Sequence, residues 1–356
     1  MTITTFLSVY AIFCVTVSFL HLVRLDYWWI RIWDFPHLQL AVLTTLGLVA
    51  WLVLDRNLQW PFLLIPIGFA VTLAYQSWLM FPYTPLHRLQ VVRLPPSGEK
   101  PVSDADTVRL LTANVYMDNT NTPDVLHLIN QYQPDIVLLL ETNETWKRAM
   151  QPIDATYPHQ VLCPLENTYG MLLYSRFPIL DHELRFLVQD DIPSIHARLK
   201  LRSGQLIHFY GVHPMPPSPT EHYRSTERDA ELLLVGKEAR QLTEPVIVAG
   251  DLNDVAWSHT TRLFQRISGL LDPRIGRGLF TTFHAHYFFL RWPLDHVFMS
   301  SHFQLETLRR LPNCGSDHFP ILISISCRPD LVQTADIPQP EGDDWQEAKE
   351  IIDEAT

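Results

Sequence analysis

Three long stretches without a charged residue, all within the first 81 positions, constrain this chain more than any other feature. Ile3 to Val23 runs for 21 residues, Pro36 to Leu54 for 19 and Pro61 to Phe81 for 21. A helix rises about 1.5 Å per residue and the apolar core of a bilayer is about 30 Å thick, so each stretch can cross one. The second stretch is densest from Leu40 to Leu54. A buried hairpin of a soluble domain would explain one such run, but not three. Tyr27, Trp28, Trp29 and Trp33, between the first two runs, suit the level of the lipid headgroups. Residues 1–85 are therefore expected to form a membrane domain of three transmembrane helices, with the lipid bilayer as partner. Nothing basic precedes the first run, so it lacks the charged start of a cleavable signal peptide.

Charge sets the expected orientation. The loop after the first run carries Arg24 and Arg31, and the segment after the third carries Arg88, Arg93 and Lys100. In a three-span topology these lie on one side, opposite Arg56 and the N-terminal amine. The positive-inside rule leans towards a cytoplasmic C-terminal domain on an integral protein of the plasma (inner) membrane, although so few charges leave the side unresolved. Residues 86–105 read as a polar, Pro-containing linker, 106–328 as a catalytic-type domain and 329–356 as an acidic, disordered tail. The net charge of -11 disfavours sequence-blind binding of long nucleic acid, which relies on Lys and Arg to neutralise phosphates. Cys14, Cys163, Cys314 and Cys327 form no Cys-x-x-Cys pair, so neither a zinc ribbon nor a redox motif is present.

Within 106–328 the pattern alternates between strand and helix. Val108–Val115 reads as a strand leading into Asn114. A helix follows from Thr122-Pro123 to Gln133, then the apolar strand Ile136–Leu140 ending at Glu141. Further strands fit Tyr169–Ser175, Ile195–Leu201 and Leu206–Val212, the last followed by His213. Helices fit Glu221–Gln241 and Trp257–Ile267, and strands fit Leu294–Met299 and Phe319–Ile325. Between them lies VIVAGDLN, Val246 to Asn253, an apolar run that delivers Asp251 and Asn253 to its end. Two residues apart in an extended segment, they point the same way. Alone, the pair reads equally well as an Asx-rich turn. Glu141 alone could be a helix cap, His213 a loop histidine and Asp295 a turn former. Yet Asn114, Glu141, His213, Asp251, Asn253, Asp295, Asp317 and His318 all fall at the ends of expected strands, as they would if one sheet edge gathered them.

These segments resemble the endonuclease/exonuclease/phosphatase (DNase I-like) superfamily. The matches are LLTANV, PDIVLLLE, YGMLLYSR, FYGVHP, VAGDLND, WPLDHVF and GSDHFPI, in that order, across about 106–328. GDLN followed by LDHVF and SDH-x-P is specific as a combination. The segment HPMPP and the apolar helices look like a membrane-anchored subgroup. The resemblance implies an α/β fold, a four-layer α/β sandwich, preceded here by three transmembrane helices. It also implies Mg²⁺-dependent cleavage of phosphate esters, with Mn²⁺ as a substitute. On that basis Glu141 is the expected metal ligand, with Asn114 and Asp317 close to the same ion. Asp251 would orient or deprotonate the attacking water and Asn253 would hold a phosphoryl oxygen. His213 and His318 would donate to phosphate oxygens, and Asp295 would fix the His318 tautomer.

Two departures bear on substrate. Leu140 stands where many relatives have Gln, and Val115-Tyr116 follow Asn114 where apurinic-site endonucleases carry an acid. The pair His284 and His286 reads as loop packing rather than a second metal site. The expected activity is hydrolysis of a phosphodiester or phosphomonoester, on a phospholipid, a lipid-linked pyrophosphate or a small ester. A nuclease acting on DNA or RNA is the alternative, and an inactive membrane scaffold is disfavoured because none of the eight polar positions is lost. No protein partner is expected.

Overall fold

The computed structural model describes residues 2–57, 59–94, 104–331 and 337–356. The N-terminal region forms α1 (Ile3–Phe19), the one-turn α2 (Trp28–Arg31), α3 (His37–Leu54) and α4 (Leu64–Met80). With short terminal turns, the segments Ile3–Leu22, His37–Leu54 and Leu64–Tyr83 are long and apolar enough to cross a membrane. They pack through Leu7, Cys14, Trp51 and Phe69. Gly47 permits that approach, since a Cβ there would lie 2.6 Å from the Phe69 ring. Their outer faces keep side chains such as Val9, Ile12, Leu46 and Val53 exposed, which suits lipid rather than water.

The remaining domain is built on two sheets. The first contains β1 (Thr107–Asn114), β2 (Ile136–Leu140), β3 (His159–Cys163), β4 (Met171–Ser175), β10 (Phe303–Arg310) and β11 (Ile321–Cys327). Its strand order is β10-β11-β1-β2-β4-β3. The second contains β5 (Ile179–Arg185), β6 (Ser194–Lys200), β7 (Leu206–Val212), β8 (Val246–Asp251) and β9 (Asp295–Met299), in sequential order. Inner faces meet through Leu138, Ile195, Phe209, Ile247 and Ile323. Burying each such side chain contributes about 1.5–3 kcal/mol. Outside the first sheet lie α5 (Thr122–Tyr132) and α6 (Glu144–Ala149), joined to it by Val125, Ile129, Val137 and Trp146. Outside the second lie α7 (Thr226–Gln241) and α8 (His259–Ser268), joined by Val235, Val248, Phe264 and Phe298. This is the expected four-layer sandwich. The uninterrupted apolar run of β2 follows from burial on both faces.

Three boundaries differ from expectation. The linker expected over 86–105 is in part folded. Val91 is fully buried in the inter-sheet core, and Arg93 bridges Leu305 of β10 in parallel register. The apolar Val91, Val92 and Leu94 supply that extra edge segment; residues 95–103 lie outside the described residues. The tail expected to be disordered ends in α9 (Asp344–Ala355), which packs on α7 and α8. Its many acids hid a helical apolar stripe of Ala348, Ile351, Ile352 and Ala355. Asp344 also accepts from Arg266 Nε at 2.6 Å and Nη2 at 3.0 Å. Residues 332–336 of that tail lie outside the described residues. Finally, α7 starts at Thr226 rather than Glu221, because the preceding backbone bonds to the N-terminal helical region: Trp28 N donates to Tyr223 O at 3.0 Å and Ser225 N to Asp26 O at 2.8 Å.

Candidate active site

The site lies where the only two parallel strand pairs among the described residues end. β1 pairs with β2 through the α5 crossover, and β7 pairs with β8 through α7. Ligands in α/β sheets gather at the C-terminal ends of parallel strands, and here those ends carry Asn114, Glu141, His213 and Asp251. β9 runs antiparallel to β8 with Asp295 directly opposite Asp251. β11 runs antiparallel to β1, so Asp317 and His318, just before it, return to the same edge. Gly250 is required for this convergence. Its φ is 150°, and a Cβ would sit 1.9 Å from Val212 O, so only glycine lets β8 lie so close to the residue before His213. Glu141 and Asn253 leave their strands in the left-handed region, with φ of 56° and 51°.

Hydrogen bonds tie the two sheets together at this edge. Asn114 Nδ2 donates to Glu141 Oε1 at 2.7 Å and to Asp251 Oδ2 at 3.1 Å. Tyr116 N donates to Asn114 Oδ1 at 3.1 Å, which sets the amide orientation. His318 Nδ1 meets Asp295 Oδ2 at 2.8 Å, while its Nε2 lies 3.5 Å from Asp251 Oδ2. The imidazole therefore sits between two buried carboxylates. Asn253 N donates to Asp251 Oδ1 at 2.9 Å, and its side-chain amide donates to Pro214 O at 3.0 Å.

Burial and charge tune these groups in opposite directions. Desolvation pushes the Glu141 carboxyl up to about 7, against the Asn114 hydrogen bond and the distant His318 charge. Burial alone would lower His318, but Asp295 and Asp251 overcome it and hold the imidazole well above its usual range. One proton held between His318 and Asp295 thus resides on the ring, since a second carboxylate also faces it. Burial lowers His213 to about 4, partly offset by Asp251. His213 Nδ1 is buried without a hydrogen-bond partner, and the Tyr169 ring lies 5.3 Å away.

All eight expected residues reach this edge, but not with equal intimacy. Asn114, expected beside an ion, bridges the Glu141 and Asp251 carboxylates with its amide. Asp317 is half-buried at the rim, where its backbone oxygen accepts from Ala285 N at 2.6 Å and its charge reaches Glu141 only through space. Asp251, Asp295 and His318 offer ligand atoms within 4.8 Å of one another, a buried group that could hold a metal ion. His284 and His286 interact with each other in a loop, His286 N donating to His284 Nδ1 at 3.2 Å.

Supporting residues were not visible as such in the sequence. Ser316 Oγ donates to Asn114 O at 2.8 Å and accepts from His318 N at 3.0 Å, clasping β1 to the histidine. Arg228, buried in α7, donates to Asn253 O at 2.8 Å, and His296 meets Asp254 O at 2.9 Å. Ser316, Asp254 and His296 lie within the quoted motifs, so proximity to the motif residues was their only signal. Arg228 had none.

Comparison with known proteins agrees with this geometry. The profile of the Endonuclease/Exonuclease/phosphatase family matches residues 111–318. The UPF0294 protein of Vibrio cholerae serotype O1 is 32% identical over 132 residues, which cover 36% of this chain and 43% of that protein. The match therefore spans less than half the length of this curated relative. Zebrafish (D. rerio) TDP2, solved with a single-strand DNA product, superimposes with a TM-score of 0.52 at 16% identity, covering 62% of this chain and 99% of that one. The endonuclease/exonuclease/phosphatase from Beutenbergia cavernae gives 0.51 at 17% identity, covering 63% and 72%. Both share the fold.

Proposed function

Because the chain belongs to the endonuclease/exonuclease/phosphatase family, we propose that it is a membrane-tethered, divalent-metal-dependent phosphoesterase. The observation that carries this reading is the imidazole of His318 held between the buried Asp251 and Asp295, in one hydrogen-bonded edge with Asn114 and Glu141. Glu141 fits a cation: its carboxyl is largely desolvated, and among the described residues no Lys, Arg or His forms an ion pair with it. The triad fits less well, since His318 already supplies the positive charge between its carboxylates. Glu141 and Asp317 would hold the ion, and oxygen donors of this kind favour Mg²⁺, with Mn²⁺ as a substitute. When bound, it supplies Lewis-acid stabilisation of a phosphoryl oxygen.

The side chains do the rest. Asp251 orients water and takes its proton as the water oxygen bonds to phosphorus and the ester P–O bond breaks, its electron pair leaving with the alkoxide, which takes a proton from solvent. His318 and neutral His213 donate to phosphoryl oxygens, where negative charge grows in the transition state. Asp295 fixes the ring of His318, as a carboxylate does in a hydrolytic triad. Asn253, anchored by Pro214 O, presents its remaining amide hydrogen to a phosphoryl oxygen.

The DNA product bound to the TDP2 neighbour supports a nuclease as the second reading, while the acidic balance of this chain weighs against a polymeric substrate. The test is hydrolysis of a panel of phosphodiesters and phosphomonoesters by the full chain, with EDTA and with Mg²⁺ or Mn²⁺ restored. The full chain is needed because Val91 and α9 complete the domain. Activity should stop with EDTA and return with metal. Equal turnover in Glu141→Ala and the unsubstituted protein would refute the assignment of Glu141.

A further inference from the structure

The edge of the sandwich that carries the site is also the edge that meets the membrane helices. Val255, two residues beyond Asn253, is buried against Leu79 and Tyr83 at the end of α4, in one cluster with Trp257 and Leu294. Tyr83 Oη donates to Ala256 O at 2.7 Å, and Trp257 Nε1 donates to Asp34 O, between the first two spans, at 2.6 Å. The loop bearing Asn253, and Leu294 just before Asp295, therefore rest directly on the helix ends.

Beside them, the loop over residues 284–290 leaves Tyr287, Phe288 and Phe289 51%, 80% and 56% exposed. Single exposed aromatics are ordinary, whereas three consecutive ones form a patch that wants an apolar or interfacial neighbour. The loop is anchored at both ends. Ala285 bonds to Asp317, and the Phe283 ring lies 4.9 Å from the His318 ring. At the other end, Phe289 O accepts from Gln39 Nε2 at 2.9 Å. Gln39 lies in the first turn of the apolar helix α3, the end that would meet the headgroups, where aromatic side chains concentrate. Next to His318, the Phe319 ring is flanked by the guanidinium groups of Arg291 and Arg310, at 5.0 and 4.3 Å. Arg291 Nη2 donates to Ala285 O at 3.2 Å and Arg310 Nη1 to Thr281 O at 3.0 Å, both neutral acceptors, so each guanidinium keeps its full charge beside the loop, which suits an anionic lipid surface.

We propose that the 284–290 loop is seated in the bilayer interface as a lip of the active site, and that the substrate is a phosphate ester of a membrane lipid taken from that leaflet. The chemistry rests on the phosphoesterase reading; the seating of the loop does not.

The two parts are tested separately on the full chain in nanodiscs of phosphatidylcholine and phosphatidylglycerol. All four native cysteines are buried, so Phe288→Cys offers one accessible thiol for an environment-sensitive dye. The dye should be quenched by lipids with a nitroxide near the headgroup and shielded from aqueous iodide. Free quenching by iodide, with none by nitroxide lipid, would overturn the seating whatever the activity. Shielding from both would place a second copy of the chain over the loop and overturn it equally. For the substrate, Phe288→Ser combined with Phe289→Ser should lower hydrolysis of phosphatidylglycerol by about 10-fold or more, since interfacial binding scales with buried apolar area. Hydrolysis of bis(p-nitrophenyl) phosphate should not change. No fall on the lipid, or an equal fall on both esters, would overturn the lipid substrate. Absence of turnover on both esters by the unsubstituted protein would overturn the phosphoesterase reading and the lipid substrate with it, while the quenching would still decide the seating.

Discussion

At the scale of single residues, the site depends on where protons sit. Asp295→Asn leaves His318 with Asp251 alone, at 3.5 Å, so its imidazolium loses one of the two carboxylates that hold it charged. Hydrolysis should fall by roughly 10²–10⁴-fold, the usual range for positioned acid-base groups. The alkaline limb of the kcat/KM profile should also move to lower pH, because less hydroxide is then needed to discharge the ring. A profile shifted only in height would assign Asp295 to folding alone. Glu141 gives a pH dependence of stability rather than of rate. Its carboxyl rises in the folded protein from an ordinary 4.5 to about 7. Between those values the native state binds more protons than the unfolded one, so metal-free stability falls as pH rises through that window. Glu141→Gln should therefore raise the metal-free Tm at pH 8 and abolish the further rise produced by divalent cations. A cation-dependent rise that persists in Glu141→Gln would place the ion elsewhere, with the Asp251, Asp295 and His318 group as the nearest candidate.

At the scale of elements, what was legible followed from periodicity and what was missed followed from composition. The apolar runs of β2 and β8 announce strands buried on both faces, and the polar residues at their ends follow from the chain leaving the sheet there. Edge strand β5 was not legible: the consecutive Asp181, His182 and Glu183 leave both of its faces polar and exposed, a pattern that reads as a loop. The Ser316 clasp and the Arg228 anchor were hidden for a related reason, since side-chain-to-backbone bonds across elements leave no periodic trace. In α9, counting charges concealed the stripe that docks the helix. Ala348 is fully buried there, so Ala348→Asp should cost about 2–4 kcal/mol by burying an unpaired carboxylate. A thermal melt of the full chain should show a clear drop in Tm. An unchanged Tm would mean that the helix is not docked in solution.

At the scale of the whole molecule, the three apolar helices and the candidate catalytic edge are joined directly. Asp34, Tyr83 and Gln39 each bond to a loop adjoining the site. If these helices tether the domain to a bilayer, as proposed, those contacts set which substrates reach the carboxylates. Arg24, Arg31, Arg88 and Arg93, flanking the apolar runs, offer only an expectation of sidedness, and the facing of the active-site mouth was not legible, because it depends on packing between distant loops. If the domain is cytoplasmic, protease added to intact cells should spare an epitope after Thr356 that is lost in inverted vesicles. Cleavage in intact cells would reverse the orientation.

The most direct measurement offers both substrate classes to the same preparation. The full chain in phosphatidylglycerol nanodiscs, supplied with Mg²⁺ and supercoiled plasmid, should hydrolyse the lipid ester and leave the plasmid closed. His318→Ala should abolish the lipid reaction. A nicked plasmid with intact lipid, or lipid hydrolysis unaffected by His318→Ala, would contradict a lipid-directed phosphoesterase built on this edge.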